Sequence, residues 1–210
     1  MRSESVGEVK NGNSVAGGKD SSGVFNVVVL NPNDNNFPYL VQQDLTGNWA
    51  AATKLPNLTN LSFSAVAAEE AANGELELIL VDQRNGLPYL IRLVPSGPPA
   101  LPALLPVTGQ GLPTGKSYSP IATCIDRNGN LVVLLRDTIG EIVVVSQNSS
   151  NIWQYVGIFG FAQSLAPGST YLSNGFAAGL GNDWLRVVGV ASNTGPGGGD
   201  GWFWSTPPSE

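Results

Sequence analysis

The stretch IDRNGNLVVLLRDTIGEIVVVSQ, residues 125–147, contains two turn signals, and each is followed by a run of aliphatic and β-branched residues. Asn128-Gly129 is a dipeptide that favours a hairpin turn, and the runs LVVLL and IVVV have the length and composition of strands. Both runs are apolar almost without interruption, which indicates strands covered on both faces. The stretch therefore predicts a hairpin inside a larger β-structure.

The same unit recurs along the chain. Its first turn glycine stands at Gly23, Gly74, Gly129 and Gly181, at spacings of 51, 55 and 52 residues. A segment of small and apolar residues precedes each turn: SVAGG, SAVAA, PIATC and GFAAG. A strand-like run follows each turn: VFNVVVL, ELELILV, NLVVLL and WLRVVGV. After a second turn comes a third run: FPYLVQQ, LPYLIRL, EIVVVSQ and GWFWST.

A fourth, weaker run extends the first and third copies. It reads NWAAATKLP in the first copy and NIWQYVGIF in the third, with Trp49 and Trp153 separated by 104 residues, or two periods of 52. The second copy has PPALPALLP at this place, and because proline removes ladder donors, only an edge strand or a loop fits there. Four strands joined by tight turns and repeated at about 50 residues are typical of β-propeller blades.

The repeat predicts an all-β fold, a four-bladed β-propeller forming a single domain over residues 1–210. The predicted repeats span about residues 12–61, 62–117, 118–171 and 172–206. Small residues suit the innermost strand of a blade, where backbones approach closely. The last copy lacks an outer run, and residues 1–10 are predicted to supply it and close the ring, since this protects two edges. The alternative is that residues 1–10 form a flexible tail.

Composition and charge exclude some partners. The net charge of −6 and the pI near 4.6 argue against binding to nucleic acid or an anionic membrane. No apolar run is long enough to span a membrane, and the N-terminus shows no signal peptide, which fits an intracellular protein or a mature secreted form. The single cysteine, Cys124, is predicted to be a buried small residue.

The chain resembles β-propellers as a class from about residue 12 to residue 206. It lacks the WD dipeptide of WD40 repeats, the S-x-D-x-G-x-T-W box of sialidases and the hemopexin repeat signature. Its tryptophan-bearing outer run and glycine turns are similar to propeller lectins of the tectonin and fucose-lectin kind. No individual residue of those families is carried over to this sequence.

Catalysis is expected to be absent. The chain contains no histidine, which removes the commonest general base and the commonest zinc ligand. Paired carboxylates of the glycosidase type remain conceivable. The candidates are Glu69 with Glu70, Glu75 with Glu77, Asp82, Asp126, Asp137, Asp183 and Asp200. Most of them stand beside predicted turns, where aspartate serves turn geometry. The oxygen-rich NPNDNN, residues 31–36, has one carboxylate and is interpreted as an Asx-rich turn, so no metal or cofactor is expected.

Aromatic residues provide the candidate ligand site. Trp202 and Trp204 are predicted to share one face of a strand beside Asp200 and a glycine-rich loop, where a sugar ring could stack. Trp49 and Trp153 could repeat such a site. The alternative for each tryptophan is packing between strands or blades.

The leading hypothesis is a non-enzymatic, lectin-like binding protein whose ligand is a glycan. The runner-up is a structural or protein-interaction propeller, such as a subunit of an assembly or of a virion surface. A glycosidase-type enzyme comes third. The expected partner is thus a glycan or another protein, and two half-rings could also combine into an eight-bladed homodimer.

Overall fold

A computed structural model describes residues 14–56, 58, 61–71, 73–94, 99–109, 111–126, 128–137, 141–159, 172–181, 184–192 and 201–205. Strands are the main regular structure of these residues, and their only helical segment is a single 3-10 turn, Pro32–Asp34. Within this part of the chain, no helix is long and apolar enough to cross a membrane.

The chain divides into two compact units, residues 1–105 and residues 106–210. The first unit contains two four-stranded antiparallel sheets in which the strands neighbour one another in chain order. The first sheet consists of β1 (Val15–Lys19), β2 (Phe25–Asn31), β3 (Phe37–Gln43) and β4 (Thr53–Lys54). The second sheet consists of β5 (Phe63–Glu70), β6 (Leu76–Asp82), β7 (Pro88–Leu93) and β8 (Ala103–Leu104).

The second unit also contains two sheets, and one of them carries an added strand. The third sheet has four antiparallel strands in chain order, and the short strand β9 pairs in parallel with the last of them. Its members are β9 (Val107–Thr108), β10 (Tyr118–Ile125), β11 (Leu131–Asp137), β12 (Ile142–Gln147) and β13 (Trp153–Phe159). The fourth sheet consists of β14 (Leu172–Gly181), β15 (Trp184–Ser192) and β16 (Gly201–Ser205).

The predicted repeat is confirmed at the level of strands and their order. The first, second and third runs of every copy fall in consecutive antiparallel strands, and the all-β prediction is confirmed. Strands β11 and β12, which contain the apolar runs of the third copy, are almost completely buried, and Cys124 is buried as expected. The number of blades and the single ring stay predictions, and the proposed closing strand, residues 1–10, lies outside the described residues.

The outer segment of the first copy differs from its predicted form, and that of the second copy agrees with it. In the first copy, NWAAATKLP forms only the two-residue β4 and an isolated bridge between Gln43 and Trp49. In the second copy, the proline-rich segment forms the two-residue edge strand β8, as the missing donors require. The following residues, which the sequence placed in the second repeat, supply β9 to the third sheet. The prolines limit the last strand of the second sheet to two residues, and the chain then continues into β9 of the third sheet.

Apolar side chains of the first and second sheets form one core. Val28 and Leu30 from β2 pack with Leu78 and Leu80 from β6 in this cluster. The first strands of consecutive sheets are in contact within each unit, β1 with β5 and β10 with β14. A side chain at Gly18 of β1 would lie 3.0 Å from Leu76, which explains the small residues of this run.

One type of tight turn joins the first two strands of the first three sheets. Gly23, Gly74 and Gly129 have φ angles of 82°, 80° and 79°, and each donates its backbone N–H to the carbonyl three residues earlier. This is a three-residue hairpin loop that ends in a left-handed residue, a position that glycine occupies without strain. In two of the turns an aspartate, Asp20 or Asp126, accepts hydrogen bonds from the backbone of the loop.

Candidate functional site

Three of the predicted carboxylate candidates accept hydrogen bonds within their own turns. Asp126 accepts hydrogen bonds from the backbone N–H groups of Asn128 and Asn130, each at 2.8 Å. Asp82 is bound by the backbone and the guanidinium of Arg84. Asp137 accepts hydrogen bonds from Lys116 and from the backbone of Glu141. The prediction that these aspartates serve turn geometry is confirmed, whereas Asp183 and Asp200 lie outside the described residues.

The glutamates of the second sheet form a row across its strands. Glu69 of β5 lies opposite Glu77 of β6, and Glu77 lies opposite Arg92 of β7. The Arg92 Nε is 2.8 Å from the Glu77 Oε1 and 3.7 Å from the Glu75 Oε2. Glu77 is completely buried, and Glu69 is half-buried. Burial raises the pKa of Glu69, and the charge of Glu70 adds to this effect.

The NPNDNN segment uses its oxygen atoms internally. The Asn31 Oδ1 accepts a hydrogen bond from the backbone N–H of Asn33 at 3.0 Å, which is an Asx turn. The Asp34 carboxylate accepts a hydrogen bond from the Tyr39 hydroxyl at 2.8 Å and lies 2.7 Å from the Lys54 Nζ. These contacts agree with the interpretation of the segment as a turn.

Trp49 and Trp153 occupy equivalent positions but different environments. Trp49 is paired with Gln43 and Trp153 with Gln147, each at the end of the third strand of its sheet. The side chain of Trp153 is completely buried, and its indole Nε1 has no hydrogen-bond partner. Trp49 is only half-buried and meets Phe25 edge-on, with ring centroids 6.1 Å apart. Packing therefore accounts for Trp153, and Trp49 alone of this pair offers a surface to a ligand.

The other predicted tryptophans can be placed only by their backbone. Trp202 and Trp204 lie in β16, in register with Gly189 and Val187 of β15. Asp200, which was predicted to stand beside them, lies outside the described residues.

An open groove of about 390 Å³ lies beside Trp49 in the first unit. Its walls combine one aromatic ring with carboxylate and amide side chains. The lining residues are Asp20, Val24, Gln42, Gln43, Asp44, Asn48, Trp49 and Ala50. We call it the Trp49 groove.

A second, smaller hollow adjoins the Trp49 groove. Its volume is about 170 Å³, and it shares Asp20 and Gln42 with the larger one. The buried Asn26 joins these two residues, because its Nδ2 donates to the Asp20 Oδ2 at 3.2 Å and its Oδ1 accepts from the Gln42 Nε2 at 2.8 Å. Hydrogen bonds through Asn26 thus fix the two side chains that line both hollows.

The loop at the rim of the groove repeats the hairpin turn described above. Asp44 accepts hydrogen bonds from the backbone N–H groups of Thr46 and Asn48, each at 2.9 Å, and Gly47 has a φ angle of 91°. Asn148 forms the same turn in the third sheet, with Ser150 and Ile152 as donors.

The Trp49 groove is negatively charged. Hydrogen bonds from Thr46 and Asn48 hold the pKa of Asp44 below its usual range. Burial acts to raise the pKa of Asp20, but hydrogen bonds from Ser22, Asn26 and Val24 outweigh it and leave that pKa lowered. Both carboxylates are therefore ionised at neutral pH.

Sequence reasoning selected Trp49 but missed its polar neighbours. The signal was present in QQDLTGNW, residues 42–49, where amides, an aspartate and a glycine turn precede the tryptophan. Asp20 is remote in sequence, and it reaches the groove because the start of β2, which follows its turn, pairs with the end of β3 at Gln42 and Gln43.

Together these features define a repeated antiparallel β-protein of the propeller type with a polar, tryptophan-bearing groove. No model of a known protein family matches the chain, and no curated protein sequence is significantly similar to it.

Three solved structures share the fold. A protein of unknown function from Dyadobacter fermentans is 14% identical with a TM-score of 0.60, over 90% of this chain and 51% of the other. An α-L-arabinofuranosidase from Clostridium thermocellum is 13% identical with a TM-score of 0.58, over 93% of this chain and 69% of the other. An endo-arabinanase from Bacillus licheniformis is 12% identical with a TM-score of 0.58, over 95% and 73%. The chain thus spans about half the length of the first of these proteins.

These similarities correct two predictions. Two of the three structures are propeller-type glycoside hydrolases and the third is of unknown function, so the resemblance to tectonin and fucose lectins is not shown. The prediction that the chain is not an enzyme is contradicted, because the shared fold is that of sugar-cleaving enzymes. That prediction rested on the missing histidine and on the assignment of most carboxylates to turns, whereas glycoside hydrolysis needs only two carboxyl groups. At this identity the similarities establish the fold and transfer no residue.

Proposed function

We propose that this chain is a carbohydrate-active propeller, with the four sheets as its blades, and that it holds a glycan in the Trp49 groove. The observation that carries the proposal is the groove itself, in which a half-exposed tryptophan lies among carboxylate and amide side chains. The apolar face of a sugar stacks on an aromatic ring, while its hydroxyl groups need hydrogen-bond partners at the ring's margin.

The polar side chains of the groove are fixed and still able to bind. The Gln42 amide uses one N–H on Asn26, and the Gln43 amide uses one N–H on the carbonyl of Gly47 at 2.9 Å. Each keeps a second N–H and a carbonyl oxygen, because a glutamine amide has two donors and one acceptor oxygen. Side chains held in this way lose little conformational entropy when a ligand binds, which favours affinity.

The test is a glycan array on the purified chain, followed by calorimetry with the strongest ligand. Trp49→Ala removes the stacking surface, and we expect binding to fall by about two- to tenfold, because an aromatic stack contributes about 0.5–1.5 kcal/mol beyond the buried area. Leu45→Ala is the matched control, since Leu45 is exposed at the tip of the same loop and does not line the groove. If no glycan binds the parent chain, or if both variants bind equally, the proposal fails.

Glycoside hydrolysis is a second candidate function. The row across the second sheet supports it: a half-buried Glu69, with a raised pKa, stands opposite Glu77, which Arg92 holds as a charged partner. Glycosidases use one carboxyl group kept as an acid and a second that is ionised. Because Glu77 is completely buried and cannot contact a sugar, Glu69 is the group of the pair that could act as general acid, and the second carboxyl group would have to come from outside the pair.

Hydrolysis is tested with aryl glycosides, including an α-L-arabinofuranoside, and with linear arabinan. If Glu69 is the acid, Glu69→Gln abolishes release of the aglycone, whereas Glu75→Gln keeps at least part of it. Absence of turnover by the parent chain on all of these substrates would reject this candidate and leave glycan binding untouched.

A further inference from the structure

We propose that the Trp49 groove and the adjoining hollow together select an uncharged glycan of more than one sugar unit. The inference rests on the proposed function and adds a ligand class to it. Its two parts, length and charge, depend on different observations.

The expected length of the glycan follows from the position of the two hollows side by side. They share Asp20 and Gln42, so a ligand that leaves the larger one meets the smaller one directly. The smaller hollow is lined on its far side by Leu93, Val94 and Pro99. Its 170 Å³ suits part of a ligand rather than a whole one, because complete ligand pockets measure about 300–1,000 Å³. The arrangement fits one sugar ring against Trp49 and part of a second unit beyond Gln42.

The expected lack of charge on the glycan follows from the ionisable groups that line the two hollows. Asp20 and Asp44 line the Trp49 groove, and none of the described residues that line it is a lysine or an arginine. The smaller hollow has one cation, Lys54. Its Nζ lies 2.7 Å from the Asp34 Oδ2 and 4.1 Å from the centroid of the Phe37 ring, so its charge is already compensated. A uronate or another acidic sugar would therefore meet two carboxylates and no available counter-charge.

Repulsion between an acidic sugar and these carboxylates should lower the affinity by a measurable factor. Two like charges about 4 Å apart repel by about the equivalent of a fivefold change in affinity even at the dielectric constant of water, and by more in a partly enclosed groove. Salt screens the repulsion, so the discrimination should shrink as ionic strength rises.

The experiment compares neutral oligosaccharides with their uronate counterparts. Oligomers of glucose, galactose and mannose, one to four units long, are each paired with the corresponding glucuronate, galacturonate or mannuronate oligomer. At low salt we expect the best neutral oligomer to bind at least fivefold more tightly than its uronate, and affinity to rise from one unit to two or three.

A charge-only variant of the groove provides the second arm. In Asp44→Asn the loop keeps its acceptor, because Asn148 closes the same turn in the third sheet. This variant should bring the ratio of neutral to acidic affinity at least fivefold closer to one. Asp126→Asn makes the same chemical change in an equivalent turn outside the groove, and it should leave the ratio unchanged.

The outcomes separate this inference from the proposed function. If neutral and acidic oligomers bind equally at low salt, if the two variants give the same ratio, or if affinity does not depend on length, the inference is overturned while glycan binding stands. If no oligomer of either kind binds, this inference fails, and the glycan array on the parent chain decides separately whether the proposed function stands.

Discussion

Carboxylate side chains of this protein have two different environments. Asp20, Asp44 and Asp126 accept hydrogen bonds from the backbone of their own turns, which favours the ionised form. Glu69 lies instead on a half-buried strand beside Glu70 and opposite Glu77, where ionisation is disfavoured. The aspartates therefore stabilise hairpins, and Glu69 is the residue whose charge opposes folding.

The first prediction concerns the pH dependence of stability at Glu69. Its pKa is raised above the ordinary value of 4.5 in the folded state, so ionisation destabilises the fold, and this penalty is complete only above the folded-state pKa. Glu69→Gln should therefore have a higher Tm than the parent at pH 7, and the difference should disappear as the pH falls toward 4. Thermal melts monitored by circular dichroism across this range measure it.

Glu75→Gln is the control for this prediction. The Glu75 carboxylate accepts a hydrogen bond from the Asn73 amide at 2.8 Å and faces Arg92, so its removal should bring no gain in Tm. A Glu69→Gln variant no more stable than the parent at pH 7 would contradict the argument.

The second prediction compares two turn glycines. Gly74 and Gly129 have φ angles of 80° and 79°, so alanine at either position costs about 1–2 kcal/mol in free energy of unfolding. A Cβ at Gly74 would also lie 2.4 Å from the Cβ of Ser21, whereas a Cβ at Gly129 meets no heavy atom within 4 Å. Gly74→Ala should thus be clearly more destabilising than Gly129→Ala in urea denaturation. Equal losses would show that the turns of the first two sheets do not pack as described.

Equivalent tryptophans in the outer segments of the first and third sheets differ in burial. Trp49 and Trp153 stand opposite equivalent glutamines, but only Trp153 lies in a continuous strand with a neighbour on its far side. In that sheet β9 pairs with β13, and the Thr108 hydroxyl donates to the Trp153 carbonyl at 2.8 Å. Where no such strand is added, the ring beside Gln43 stays half-exposed.

The third prediction follows from this difference between the two tryptophans. Trp153→Ala removes a completely buried side chain and should cost about 3–5 kcal/mol in free energy of unfolding. Trp49→Ala should cost clearly less, because part of that ring is already in water. Chemical denaturation of both variants measures the pair, and a larger loss for Trp49→Ala would reverse the assignment of packing and binding roles.

The strands could be predicted from the sequence because their signals are local. Apolar runs and turn glycines are readable within one copy, the period near 50 residues follows from comparing copies, and together they located the first three strands of every copy. The added strand β9 could not be predicted, since Val107 and Thr108 pair with residues 153 and 154, far along the chain. For the same reason the sequence did not reveal which tryptophan is exposed or that Asp20 joins the groove.

At the scale of the whole molecule, the strand repeat crosses a division into two compact units, residues 1–105 and 106–210. Each unit contains two of the sheets, and a ring of four blades would unite them in a single domain. Ring closure by residues 1–10 is the prediction that bears on this point.

The fourth prediction tests that closure. If residues 1–10 form the outer strand of the last sheet, their deletion exposes two strand edges and should lower the Tm while the chain still unfolds in one cooperative transition. A deletion of equal length from the C-terminal end, residues 201–210, would remove β16 and serves as a reference for the loss of a whole strand. An unchanged Tm after removal of residues 1–10 would identify them as a tail, and sedimentation at twice 21.9 kDa would favour a closed dimer instead.

The hairpin turns also bear on how this protein ages. Asn73-Gly74, Asn85-Gly86 and Asn128-Gly129 are sequences in which an asparagine side chain is open to attack by the next backbone nitrogen, with loss of ammonia. In each turn that glycine nitrogen donates a hydrogen bond to a carbonyl within the turn, at 2.8, 2.8 and 3.0 Å. Deamidation at these sites should therefore proceed only when a hairpin opens. The deamidated fraction of each asparagine, measured by mass spectrometry during storage, would then report how often its turn opens.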